Sequence, residues 1–286
     1  MSRSTALIAL LVALLLVGPM LIVVPMSFST APSLEFPPPG FWLGYYRRFF
    51  SDPNWTGPVI NSFLIGLGAM SLAMLFGAPA SFALVRHSFR LRQLFRILVL
   101  MPLIVPHIVM ALGYYSYFGS LGLVQSMQGV ILAHACLAIP VVVLTLTSAL
   151  ANFDRRVENA AANLGARPFT AFRLVTFPML RPAFLVAALF AFIQSFDETV
   201  IAIFISGRDS ATLPRQMFNS FQMEADPAIS AASSLLLAAV LIGIGARCRK
   251  SGQEPTRAFA RLSDRGLTPW YCRTGWRQLP RRAPAP

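Results

Sequence analysis

A chain of 286 residues that is 56% hydrophobic and 12% charged carries about half the charged fraction of a soluble domain. It lacks the polar residues to cover a water-soluble globule of this size, which argues against a soluble enzyme or binding module. The net charge of +13 does not point to nucleic acid. Ten of the 24 Lys and Arg lie beyond Ala246, and the others cluster in short loops between apolar runs, the pattern of membrane topology. Cys136, Cys248 and Cys272 have no metal-ligand spacing and no even pairing, so they read as free thiols.

Taken in order, Ala6 to Met26 is an apolar run of 21 residues, long enough to cross about 30 Å of hydrocarbon and longer than the core of a cleavable signal peptide. It reads as a retained first span. Ser27 to Pro58 is rich in Pro, Gly and aromatics, with Trp42, Tyr45, Tyr46 and Trp55 suited to a membrane interface, and reads as an external loop. Residues 1–58 thus form a first span and its loop. The second span, Val59 to Val85, carries Gly66, Gly68, Gly77, Ala78 and Ala80, small residues that let helices approach. Arg86, Arg90, Arg92 and Arg96 make a short basic loop before a third span, Ile97 to Phe118, interrupted by Pro102 and Pro106. A fourth span covers Gly129 to Leu150, a fifth Ala183 to Ile205 and a sixth Ala228 to Ala246. The expected fold is therefore an all-α membrane protein of six transmembrane helices, its core running over residues 59–246. The tail, 247–286, is basic and Pro-rich without periodicity, and is expected to be disordered.

Between the fourth and fifth spans lies the longest polar interval before the tail, Asn152 to Pro182. Phe153, Val157, Ala160, Ala161 and Leu164 recur at helical spacing, and Gly165 stands where a C-cap glycine would. Arg167-Pro168 marks a turn, and an apolar run through Phe169, Phe172 and Val175 leads to Pro178 and Pro182. The unit reads as helix, glycine turn, helix. With Arg3 and the second-to-third loop, this interval brings the Arg on one side of the membrane to ten before the tail. Arg47, Arg48, Arg208 and Arg215 lie on the other side, so both termini and the Asn152 to Pro182 interval are expected in the cytoplasm.

This interval resembles the cytoplasmic EAA loop of the permease subunits of binding-protein-dependent ABC importers, whose pattern is Glu-Ala-Ala, three residues, Gly, nine residues, an aliphatic, any residue, Leu and Pro. Ala160, Ala161, Gly165, Val175, Phe177 and Pro178 fall in register. Asn159 occupies the position of the family's Glu, with Glu158 one residue earlier, and Phe177 stands for Leu. The resemblance implies a coupling helix in which Glu158, Asn159, Ala160, Ala161, Leu164 and Gly165 meet a separate cytoplasmic ATPase subunit. It also implies a second permease subunit, an extracytoplasmic solute-binding protein and residence in a bacterial cytoplasmic membrane. The sequence holds no G-x-x-x-x-G-K-[ST] loop, so no nucleotide cofactor is expected on this chain, ATP and Mg belonging to the partner, and no enzymatic activity of its own.

In the fifth span Gln194, Asp197 and Glu198 stand at i, i+3 and i+4, on one helical face. A carboxylate near mid-membrane costs roughly 2.5 to 3.5 kcal/mol on insertion scales, so the stripe is expected to face the bundle interior or a solute pathway. Ser195-Phe196-Asp197-Glu198, followed by Ser206-Gly207 and Thr212-Leu213-Pro214, resembles the spermidine and putrescine permeases in particular, and an acidic stripe suits a cationic amine. Iron, phosphonate and opine importers are the alternatives within the class. His107 and His134, with no carboxylate within sequence reach, read as packing residues. A proton-driven secondary transporter would need internally repeated halves, which are not seen. An intramembrane metalloenzyme would need paired ligands such as H-E-x-x-H, which are absent from the sequence.

Overall fold

The computed structural model describes residues 3–223 and 226–251. Among them the ordered elements are helical, apart from an isolated bridge between Ser29 and Phe41. The first helix, α1 (Arg3–Met26), is exposed to the surroundings along its apolar length. A short amphipathic helix, α2 (Gly44–Ser51), lies within the segment expected to be an external loop. The next helix, α3 (Pro53–Arg86), starts earlier than hydropathy suggests, because Asp52 caps it. The Asp52 carboxylate accepts the Asn54 N–H at 2.9 Å, and Pro53 follows at the first helical position, where its missing N–H costs nothing.

The expected third span is two helices, α4 (Arg92–Leu100) and α5 (His107–Ser120), joined through a 3₁₀ turn at Met101–Leu103 and bent by 99°. Pro102 and Pro106 break this span where they were expected only to interrupt it. By contrast α6 (Met127–Ala151) runs unbroken through Pro140; Ser126 caps it by accepting the Gly129 N–H at 3.0 Å. After the loop come α7 (Arg156–Asn163), α8 (Pro168–Ala171), a π-helical stretch Phe172–Thr176 and α9 (Phe177–Phe196). The expected fifth span, Ala183 to Ile205, is not one helix: α9 stops at Phe196, and Val200–Ile205 forms a separate α10. The polar segment that follows contains α11 (Leu213–Met223).

Among the described residues four helices are long and apolar enough to cross a membrane, or five if the bent α4 and α5 count as one span. The sixth expected span falls in α12 (Ala228–Ser251), whose apolar part, Ala228–Gly243, is shorter than a typical crossing before basic residues begin. Residues 252–286, most of the expected disordered tail, lie outside the described residues.

The three long helices α3, α6 and α9 pack together around a seam of small residues. Ala73, Ala138, Ala187 and Ala191 are fully buried there with Val142 and Leu146. Lipid tails are as apolar as the helices, so close backbone approach and dispersion hold such a seam, not the hydrophobic effect. Towards the other end Ile65, Ala111, Phe118, Val130, Leu137, Ile201 and Ile205 knit α5 and α10 against α3 and α6. The helices α5 and α10 are thus carried on the packed triplet.

Candidate functional site

At one end of the triplet lies the helix pair of the polar interval. Asp154 accepts the Arg156 N–H at 2.9 Å and starts α7. Gly165 ends it with φ +84°, and the Ala166 N–H returns to the Ala161 carbonyl at 3.0 Å, closing the helix in the manner of a Schellman motif. Ala161 and Glu158 lie on the inner, half-buried side, while Asn159, Ala160 and Leu164 face outward, Leu164 at 89% exposure. With Phe169, also exposed, Leu164 gives this end of the chain an apolar rim that the chain itself does not cover.

Glu158 is committed inward. Its carboxylate accepts from the Arg86 Nη1 at the end of α3 and from the Thr176 hydroxyl in the π-helical stretch. The Arg86 guanidinium also lies over the Phe82 and Phe153 rings, 5.3 and 5.8 Å from their centroids. The pair is largely dry, at 19% and 17% side-chain exposure. Burial alone would raise the Glu158 pKa, but the hydrogen bonds from Arg86 and Thr176 and the charge of Arg86 outweigh it and hold the carboxyl below its ordinary value. One carboxylate therefore ties the loop helix to both α3 and the entry of α9. Sequence reasoning missed Arg86 and Thr176, which stand 72 and 18 residues from Glu158 and carry no local signal.

The second site forms where α9 breaks. Gln194, Asp197, Glu198, Thr199, Ile193, Val200 and His107 line a cleft of about 280 Å³. The three polar residues expected on one helical face are brought together here, but in different roles. Glu198 turns inward to 3% exposure, where its Oε1 accepts the Ile201 N–H at 3.1 Å and supplies the first turn of α10 with a partner. Its Oε2 stands 3.0 Å from Nδ1 of His107, at the first turn of α5. Asp197 remains exposed, with Gln194 half-buried beside it. His107, expected as a packing residue because no carboxylate stands within sequence reach, instead meets one 91 residues away, just past the end of α9. His134 does pack as expected, fully buried with Nδ1 2.9 Å from the Ser195 hydroxyl.

The 206–213 segment behind this cleft is held by polar contacts from three sides. Arg215 donates to the Ser206 and Gly207 carbonyls at 2.8 and 2.6 Å, Asn61 to the Asp209 and Ala211 carbonyls, and the Leu213 N–H reaches Ser62 at 2.8 Å. The Gln125 N–H meets the Ile205 carbonyl at 2.7 Å. A side chain at Gly207 would strike the Gln125 backbone, which explains glycine there. Among the described residues no group of three His, Cys, Asp or Glu could hold a metal ion.

A capped loop helix beside a triplet of packed spans and a polar cleft at a broken helix are thus the two sites that the fold builds. Residues 69–246 match the model of the binding-protein-dependent transport system inner membrane component. This chain belongs to that family. As a permease it is 32% identical over 236 residues to the putrescine transport system permease protein PotI of Escherichia coli K12, covering 79% of this chain and 82% of that one. To the spermidine/putrescine transport system permease protein PotC of Haemophilus influenzae it is 30% identical over 198 residues, covering 69% and 77%. In fold the permease resembles a bacterial ABC transporter involved in the import of the acidic polysaccharide alginate, with a TM-score of 0.66 at 16% identity over 87% of this chain and 98% of that one. The permease is a membrane transport subunit and not an enzyme.

Proposed function

We propose that this permease forms half of the solute path of an ATP-driven importer for polyamines such as putrescine and spermidine. The observation that carries the substrate class is the cleft at the α9 break, where Asp197 keeps an uncommitted carboxylate beside Gln194 while Glu198 is occupied by His107 and Ile201. A diamine is met there by one exposed negative charge and an amide acceptor, and the two polyamine permeases among its relatives support the same reading. Glu198 acts through His107, holding the α5 and α10 termini at the cleft.

The loop helix α7 is the element that docks on a separate ATPase subunit, which holds ATP and Mg. Asn159, Ala160, Leu164 and Gly165 form the outward rim, and Ala161 and Glu158 anchor the helix from within. ATP-driven closure of the ATPase pair moves α7, and the Arg86, Glu158 and Thr176 contacts carry that movement to α3 and α9 together. The arginine distribution supports an orientation with both termini and α7 in the cytoplasm, which an arrangement of six spans would satisfy. A second permease and an extracytoplasmic binding protein complete the importer.

The test of substrate class is uptake competition in cells whose own polyamine import is deleted, with the permease and its partner subunits supplied. Labelled putrescine uptake that unlabelled spermidine suppresses, and that ferric iron, phosphonates and opines leave unchanged, is the expected result. Suppression by one of those other solutes instead would reassign the substrate while leaving the permease role intact.

A further inference from the structure

A cleft of about 710 Å³ lies away from the α9 break, between the end of α3, the helix α4 and the far end of α6. Its rim carries Arg90, Arg92 and Arg96, and no Asp or Glu lines it. Arg92 is committed, its Nε donating to the Leu84 carbonyl at 2.8 Å, while the Arg90 and Arg96 side chains are exposed. From these arginines the wall continues along Leu84, Val85, Leu100, Val143 and Leu144, and two hydroxyl residues, Thr147 and Ser148, stand on α6. The Thr147 hydroxyl oxygen is shielded from solvent and has no hydrogen-bond partner. No side chain of α4 is buried, so the groove is walled on that side by a helix that lies open.

We infer that this groove binds an anionic phospholipid, its phosphate held by Arg90 and Arg96 and an acyl chain laid along the α6 wall. Charge selects the headgroup: cationic guanidinium groups without a neighbouring carboxylate draw an anion, and a basic pocket between spans is the place where acidic headgroups bind. The apolar wall selects a lipid over a free phosphate, which has nothing to lay against Leu100, Val143 and Leu144. A second copy of this chain fits poorly, since a symmetric contact would set arginine against arginine. The assignment rests on the orientation proposed above only for its leaflet, the cytoplasmic one; the lipid contact itself stands without it. Because α4 leads directly into the bent α5 that carries His107, a lipid in the groove holds the same broken span that lines the cleft.

The test is native mass spectrometry of the assembled transporter, released from detergent after incubation with phosphatidylglycerol, with phosphatidylcholine or with inorganic phosphate, reading the adducts retained on this subunit. Wild type is expected to retain phosphatidylglycerol over phosphatidylcholine. The Arg90→Gln, Arg96→Gln double variant, which leaves the Arg92 bond intact, is expected to weaken that retention on the order of 30-fold, the effect of two arginines at an anionic surface. Arg90→Lys, Arg96→Lys is expected to restore most of it, which separates charge from loss of fold. Equal retention by wild type and the Gln variant, equal retention of phosphatidylcholine, or displacement of the lipid by millimolar inorganic phosphate would overturn the proposal.

Discussion

Asp197 and Glu198 are neighbours in sequence and opposites in environment. Glu198 is buried against His107 and the Ile201 N–H, and Asp197 is open to the cleft. Replacing Asp197 by Asn is expected to cut transport about 10- to 100-fold in kcat/KM, the range for one charge-assisted hydrogen bond, with insertion and expression unchanged. Glu198→Gln is expected to act differently, lowering the thermal stability of the purified complex as well as transport, because it disturbs two helix ends; a variant as stable as wild type would contradict its anchoring role. At the loop, Arg86→Ala strands the Glu158 carboxylate and is expected to cost roughly 2 kcal/mol, read from a detergent-solubilised melting curve. The folded Glu158 carboxyl ionises below its ordinary value, so its stabilising effect is present above the unfolded value of about 4.3 and is lost as pH falls through the lower folded value. The stability gap between wild type and Glu158→Gln should therefore close in acid; a gap independent of pH would count against the clamp. The identities of these side chains were visible in sequence, but their pairings were not, since Arg86 with Glu158 and His107 with Glu198 are joined only by tertiary packing.

Among the elements, legibility followed local chemistry. The loop helix was readable because Val157, Ala161 and Leu164 keep a helical period and Gly165 ends it, and α7 forms there. Gly165 has open space around its missing Cβ, so Gly165→Ala is expected to cost only the left-handed backbone penalty, about 1 kcal/mol, with Gly165→Asn costing less. Equal melting temperatures for wild type and the Ala variant would contradict the observed φ. The break after Phe196 was less readable, because apolar residues continue on both sides and hydropathy reads them as one span. What ends α9 is the run Asp197, Glu198 and Thr199, whose carboxylate serves the next helix more effectively than it would a continuous one. The start of α3 was missed for a similar reason: Asp52-Pro53 is a strong helix opening, yet it is polar and precedes the apolar run by which the span was located.

At the scale of the molecule, composition pointed to a membrane chain and the lengths of its apolar runs to helical spans, and the triplet of α3, α6 and α9 explains how such a chain coheres without water to drive it. Gly77 sits against Val142 so closely that an added Cβ would lie 2.8 Å from its Cγ1. Gly77→Leu is therefore expected to prevent assembly of a stable complex, measured as loss of the monodisperse peak on size exclusion, whereas a change on the exposed face of α1 leaves that peak intact. The packed triplet, the clamped loop helix at one end and the cleft at a helix break support the central proposal that movement delivered at α7 opens a path in which Asp197 meets a cationic solute. The most direct measurement is ATP-driven flux of radiolabelled putrescine in proteoliposomes holding this permease, its ATPase and second permease, with binding protein supplied. The account predicts flux in wild type, its near loss in Asp197→Asn, and ATP hydrolysis that continues without flux when Arg86 and Glu158 are both replaced by Ala. Undiminished putrescine flux through Asp197→Asn, in an assembled and inserted complex, would contradict it.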